Sequence, residues 1–254
     1  MVVGIETFKE HFKDFQNSYI IIRGTACDII LEEAGFNPRA TDDIDIILIV
    51  EALSPAFTVK FWEFINLGQY NIKQINQEKR NCYRFAEPAI EDFPKQLELF
   101  CRKPDVIQSN GGAHLTPIPT DEGLSNMSAI LLDEHYYNYT LQNSIITDGV
   151  HFAEPHALIC LKAFAFLNNT QRKKEGQQVR SVDIKKHKYD VFRMAVMLGE
   201  NDQFNLPETI KADMQQFVHV IKEELPDKEI FTKNGFPDQD MGNLLNKLVK
   251  IFQL

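Results

Sequence analysis

The sequence predicts an α/β (α+β) chain, with a mixed sheet and its helices over residues 1–153 and a helical region over residues 154–254. Three observations carry this. Two apolar strand patterns, Tyr19–Arg23 and Asp43–Val50, are separated by helical spacing over Ala26–Ala34 that stops at Gly35, a natural residue to follow a helix. Three more strand patterns follow at Tyr70–Ile75, Asn81–Ala86 and Gln96–Cys101, the last alternating around Leu97 and Leu99. Beyond Pro155 the apolar period is that of helices only: Ala157–Leu167, Asp183–Leu198, Pro207–Leu225 and Met241–Phe252.

The remaining elements follow from local signals. Ile5, Phe8, Phe12 and Phe15 share one face of a helix, and Pro55 suits the first turn of a helix over Ala56–Leu67 that Gly68 closes. Strand-like alternation extends over Ser128–Phe152, with Asp148-Gly149 as a hairpin turn. Asn168–Val182, charged and containing Gly176, reads as a mobile link between two helices. At 254 residues with 44% hydrophobic and 25% charged side chains, the chain is long enough for a sizeable core and unlike a disordered one. No apolar run reaches the roughly 18 residues of a spanning helix. Met1–Lys9 lacks a basic leader and meets Glu6 early, so the expected location is the cytoplasm, with no membrane partner. Cys27, Cys82, Cys101 and Cys160 are too scattered for a zinc or redox pair and are expected reduced and mostly buried.

A net charge of −9 argues against a general nucleic-acid coat. The charge is uneven. Residues 171–193 hold eight basic side chains against three acidic ones, a local excess that asks for an anionic partner.

The chemistry concentrates in the first half. Gly24-Thr25 sits where a strand turns into a helix, a place where phosphate oxygens can reach backbone N–H groups. Asp43 and Asp45 flank Ile44 at a strand start, so both carboxylates project to one face. Two carboxylates held so close repel unless a cation lies between them, and hard oxygen ligands of this kind suit Mg²⁺ completed by substrate phosphates. Glu98, in a later strand, is the expected third carboxylate, with Glu91 and Asp92 as nearby competitors. Lys162 stands in an otherwise apolar helix, either reaching out to solvent or facing phosphates. Helical spacing places Asp183 beside Lys186 and His187, and Lys186 beside Asp190, where surface ion pairing is the alternative reading.

The strings Arg23-Gly-Thr-Ala26 and Arg39-Ala-Thr-Asp-Asp-Ile-Asp45 resemble the nucleotidyltransferase signature, a small-residue turn followed by a D-x-D strand and a distant carboxylate. Together with Leu161-Lys162-Ala163 and Asp183–Asp190, they look like the AbiEii/AbiGii branch, toxins of type IV toxin–antitoxin systems. The resemblance covers roughly residues 18–198 and departs from the branch at Val182, where Arg is frequent, and at Thr25, where Ser is commoner. It implies a nucleotidyltransferase-like sheet domain and a helical C-terminal domain, Mg²⁺ and an NTP donor. Asp43, Asp45 and Glu98 would be catalytic and metal-binding. Gly24, Thr25, Arg39, Thr41, Lys162, Asp183, Lys186, His187 and Asp190 would surround the nucleotide. The acceptor would be a hydroxyl of tRNA, of a protein or of a small molecule, and a cognate antitoxin would be a partner. A catalytically silent binding protein of the same fold is the competing expectation. Loss of one of the three carboxylates would mark it, and all three are present.

Overall fold

A computed structural model describes residues 2–37, 41–52, 54–72, 82–100, 133–233, 235–236 and 238–254. Among the described residues, seven strands form one mixed sheet: β1 (Tyr19–Ile22), β2 (Asp43–Leu48), β3 (Asn71–Ile72), β4 (Cys82–Ala86), β5 (Gln96–Phe100), β6 (Ser144–Thr147) and β7 (Val150–Ala153), in the order β3-β4-β5-β2-β1-β7-β6. The two most apolar strands are central, as burial on both faces requires. Every residue of β1 is buried, and β2 is buried after its first aspartate. β2 runs antiparallel to β1 and parallel to β5, with Asp43 opposite Gln96 and Asp45 opposite Glu98. That register puts the Asp45 and Glu98 side chains on one face of the sheet.

Helices α1 (Ile5–Phe12), α2 (Arg23–Glu33), α3 (Pro55–Gly68) and α4 (Glu134–Gln142) belong to the first half, and α5 (Pro155–Lys174), α6 (Ser181–Val196), α7 (Glu208–Ile221), α8 (Lys228–Lys233) and α9 (Met241–Phe252) to the second. α1 buries Ile5, Phe8 and Phe12 against α3, and Ser54 caps α3 by accepting from the Phe57 N–H. α5 is the axis of the second half, packing on α6, α7, α4 and α2. This explains why every residue from His156 to Ala163 is buried, Lys162 included. Buried side chains on both sides of residue 153 belong to one cluster.

Several expectations are corrected. Residues 134–142 are helical rather than alternating strand. The Asp133 carboxylate accepts from the His135 and Tyr136 N–H groups, and Tyr136, Tyr137 and Tyr139 are buried, so tertiary packing overrides the strand preference of tyrosine. The link between α5 and α6 is shorter than expected. α5 runs through Asn168-Asn169-Thr170, where Asn169 is buried and the Thr170 hydroxyl is satisfied by the Phe166 carbonyl, 2.7 Å away one turn back in the same helix. α2 begins at Arg23, three residues before the expected start, and α8 has no counterpart in the sequence reading. The hairpin is as expected: Asp148 at φ 46° and Gly149 at φ 80° make a turn of two left-handed residues. Cys27 and Cys160 are free and buried, and residues 73–81, 101–132 and Arg39 lie outside the described residues. Among the described residues, no helix is long and apolar enough to cross a membrane.

Candidate active site

The face shared by Asp45 and Glu98 forms one wall of a cavity of about 740 Å³. Asp43 and Asp45 of β2, Gln96 and Glu98 of β5 and Arg84 of β4 line it from the sheet, with Arg23 and Gly24 at the start of α2 and Thr41 just before β2. Lys162 and Asn169 of α5, and Asp183, Lys186 and His187 of α6, also line it, together with Gln178, Val179 and Arg180 from the turn between those helices.

Arginine dominates the acidic wall. The Arg23 guanidinium donates to Asp45 Oδ1 at 2.8 Å and to Glu98 Oε2 at 2.6 Å through the same nitrogen, and lies over the Phe100 ring. Arg84 Nε donates to Glu98 Oε1 at 2.8 Å, and the Gln96 amide donates to that oxygen at 3.0 Å. Glu98 is fully buried, and that burial favours its neutral form, yet Arg23 and Arg84 together outweigh it and hold its carboxyl below the usual range. Asp45 fares differently. Burial pushes it up to about 7, because Arg23 is shared and the Glu98 charge opposes its ionisation. Asp43 is also raised, by burial and then by the charges of Glu98 and Asp42, against which Lys186 and Arg23 act.

Among the described residues, no group of three or more His, Cys, Asp or Glu side chains is arranged to hold a metal ion. The three expected carboxylates, Asp43, Asp45 and Glu98, line the same cavity, and both Glu98 oxygens accept from arginines. The donor chemistry of Asp43 and Asp45 still fits Mg²⁺. They are two oxygen donors on one strand face, both resisting ionisation chiefly because they are buried, and Mg²⁺ commonly takes one or two carboxylates and fills its shell with water and phosphate.

The structure separates the other expected residues into two groups. Gly24, Thr41, Lys162, Asp183, Lys186 and His187 line the cavity. A Cβ on Gly24 would come within 3.2 Å of the Thr41 side chain, so glycine lets the loop before β2 close over the start of α2. Thr25 does not reach the cavity: fully buried, its hydroxyl donates to the Asp43 carbonyl and ties α2 to β2. Asp190 is behind the wall, accepting from Lys162 at 2.5 Å and from Arg193 at 3.3 Å. Asp183 is held by Arg180 through two hydrogen bonds of 2.8 and 3.0 Å. His187 Nδ1 is buried without a hydrogen-bond partner, and burial followed by the Lys162 charge pushes the ring down to about 3, so it is neutral at pH 7.

Of the basic segment, only Arg180 and Lys186 line the cavity. Arg172, Lys173 and Lys174 form the last turn of α5, while Lys188 and Arg193 are buried in the packing of α6. Sequence reasoning gave no role to Arg23, Arg84, Asn169 or Gln178. Arg23 stood in a quoted motif, whereas Arg84 becomes meaningful only through the register that places it opposite Glu98.

No family model and no curated protein matches the chain. Among solved structures, the crystal structure of the Megavirus polyadenylate synthase is similar at a TM-score of 0.40 and 14% identity, over 87% of this chain and 36% of that one. The chain thus spans about a third of the length of that structure.

Proposed function

We propose that the chain is a Mg²⁺-dependent nucleotidyltransferase that moves an NMP from an NTP to an acceptor hydroxyl. The observation that carries this reading is that one cavity brings the carboxylates of Asp43 and Asp45 together with the cationic side chains of Lys162, Arg180 and Lys186. Its volume lies within the range of about 300–1,000 Å³ usual for small-ligand sites. In this reading Asp43 and Asp45 hold Mg²⁺, which when bound supplies positive charge for the triphosphate and the departing pyrophosphate. Lys186 and Arg180 bind phosphate oxygens, and the backbone at Gly24 admits them closely. His187, neutral and with Nδ1 unpartnered, offers a hydrogen bond to the nucleotide or to the acceptor. Glu98 holds Arg23 and Arg84 in place and is a positioning group rather than a metal ligand or general base. Residues 1–153 and 154–254 then act as the two lobes that meet around the nucleotide, and the chain works in the cytoplasm.

The finer reading, an AbiEii-like toxin with a cognate antitoxin, rests on the sequence resemblance. A decisive assay incubates the chain with each α-labelled NTP, Mg²⁺ and cell extract. Transfer of label to a macromolecule, abolished by EDTA, is the expected result. Nucleotide binding with no transfer from any NTP would favour the silent binding protein, a reading that the arginine pairing of Glu98 also suits.

The acceptor gives a second test. Arg172, Lys173 and Lys174 lie outside the cavity lining, so replacing all three with Ala is expected to leave NTP affinity unchanged. If the acceptor is tRNA held by that turn, the slope of log affinity against log salt falls by about 0.7–0.9 per lost contact. An unaltered slope in filter binding directs the search to a protein or small-molecule acceptor.

A further inference from the structure

We propose that Arg23 is a built-in counter-ion that competes with a divalent cation for Asp45, so that cation and triphosphate bind the chain cooperatively. The inference rests on the nucleotidyltransferase reading and deepens it by assigning a positioning role to a residue outside the expected site. Its first support is geometric: one guanidinium nitrogen joins Asp45 to Glu98, at 2.8 and 2.6 Å, where a cation between carboxylates would otherwise be needed. The second is the backbone. Arg23 has φ 62°, a left-handed conformation that a long side chain adopts at a cost and glycine adopts freely, and here it is what turns the end of β1 into α2.

The third support is that Glu98 does not depend on Arg23 alone. Arg84 and Gln96 remain on its other oxygen, so Arg23 can leave without stranding a buried charge. Asp45 has no second arginine, and its other side-chain contact is the Glu98 carboxyl, so loss of Arg23 opens a place for a cation between the two carboxylates. Arg23 lines the same cavity as Gly24 and Lys186, so an anion of several charges entering there gives the guanidinium an alternative partner. A triphosphate that draws Arg23 away thereby raises affinity for the cation at Asp45, and by reciprocity the cation raises affinity for the triphosphate.

The test is Mn²⁺ binding followed by electron paramagnetic resonance, without any turnover, in the wild type, Arg23→Gln and Arg23→Gly. Removing the counter-ion is expected to tighten Mn²⁺ binding in the absence of nucleotide by about tenfold, within the span of about 5- to 150-fold usual for coupled sites. Adding a non-hydrolysable ATP analogue should tighten Mn²⁺ binding to the wild type more than to either variant, after correction for the metal that the analogue itself chelates. Arg23→Gly guards against misfolding, since glycine suits the positive φ. A third chain, Arg23→Gln with Asp45→Asn, should lose the gain. Equal Mn²⁺ affinity in wild type and both variants, each folded by circular dichroism, overturns the counter-ion role while leaving the transferase reading intact. Absence of Mn²⁺ binding from every chain, with and without analogue, overturns both.

Discussion

Asp45→Asn is expected to lower nucleotidyl transfer by about 10³-fold or more, because a bound metal contributes several kcal/mol to charge stabilisation and each ~1.4 kcal/mol is a factor of ten. The same substitution is expected to leave the metal-free fold as stable as before or more so. Asp45 is buried, and its carboxyl is pushed up to about 7 by that burial, with Arg23 opposing and the Glu98 charge assisting. A carboxyl whose folded value is raised binds its proton more tightly in the folded chain. Its stabilising contribution is therefore full below the unfolded value near 4 and is lost as pH rises through about 7. Asn does not ionise, so in EDTA the variant's thermal midpoint should gain on the wild type as pH rises from about 4 to about 7, the window those two values set. The Asn side-chain oxygen can still accept from Arg23, which limits the cost of the change. Transfer that survives at wild-type rate in Asp45→Asn would remove Asp45 from the chemistry. A midpoint that falls across the whole pH range would mean that the Arg23–Asp45 pair stabilises the fold rather than straining it.

The strand that bears this residue was legible because its signal is local. Two aspartates ahead of Ile46-Ile-Leu-Ile49 mark where a buried strand emerges, and β2 starts at Asp43. Glu98 was legible for the same reason, since Leu97 and Leu99 fix its face, whereas Glu91 and Asp92 fall in the exposed connection before β5. What could not be read depends on contacts distant in sequence. Arg84 pairs with Glu98 only once β4 is laid against β5, and residues between them in sequence carry no trace of that register. Thr25 shows the converse. Its type and position fit a phosphate contact, yet α2 starts early enough to turn it inward onto β2. Asn169 belongs to the same class: a polar residue that reads as the start of a linker becomes a buried position in the middle of a long helix because α6 packs beside it.

The second large effect is expected at the pair formed by Lys162 and Asp190, which join α5 to α6 at 2.5 Å with side chains 5% and 1% exposed. Breaking a buried ion pair from one side typically costs 3–5 kcal/mol, because the remaining charge has neither water nor partner. Lys162→Met should fall near ~3 kcal/mol, since Arg193 still approaches Asp190 at 3.3 Å. For a chain of this size that corresponds to a thermal midpoint lower by about 6–12 °C. Asp190→Asn should cost more, because it removes the one carboxylate charge that both Lys162 and Arg193 approach. Combining the two substitutions removes one charge of each sign, so the double variant should be more stable than Asp190→Asn alone. That recovery separates two roles for Lys162, which also lines the cavity. If its charge acts on triphosphate, the double variant refolds but binds an ATP analogue at least about tenfold more weakly than the wild type, the loss of one charge-assisted hydrogen bond. If Lys162 serves only to fasten α6, analogue affinity in calorimetry returns together with the thermal midpoint, and Lys186 and Arg180 are left as the cationic groups of the site.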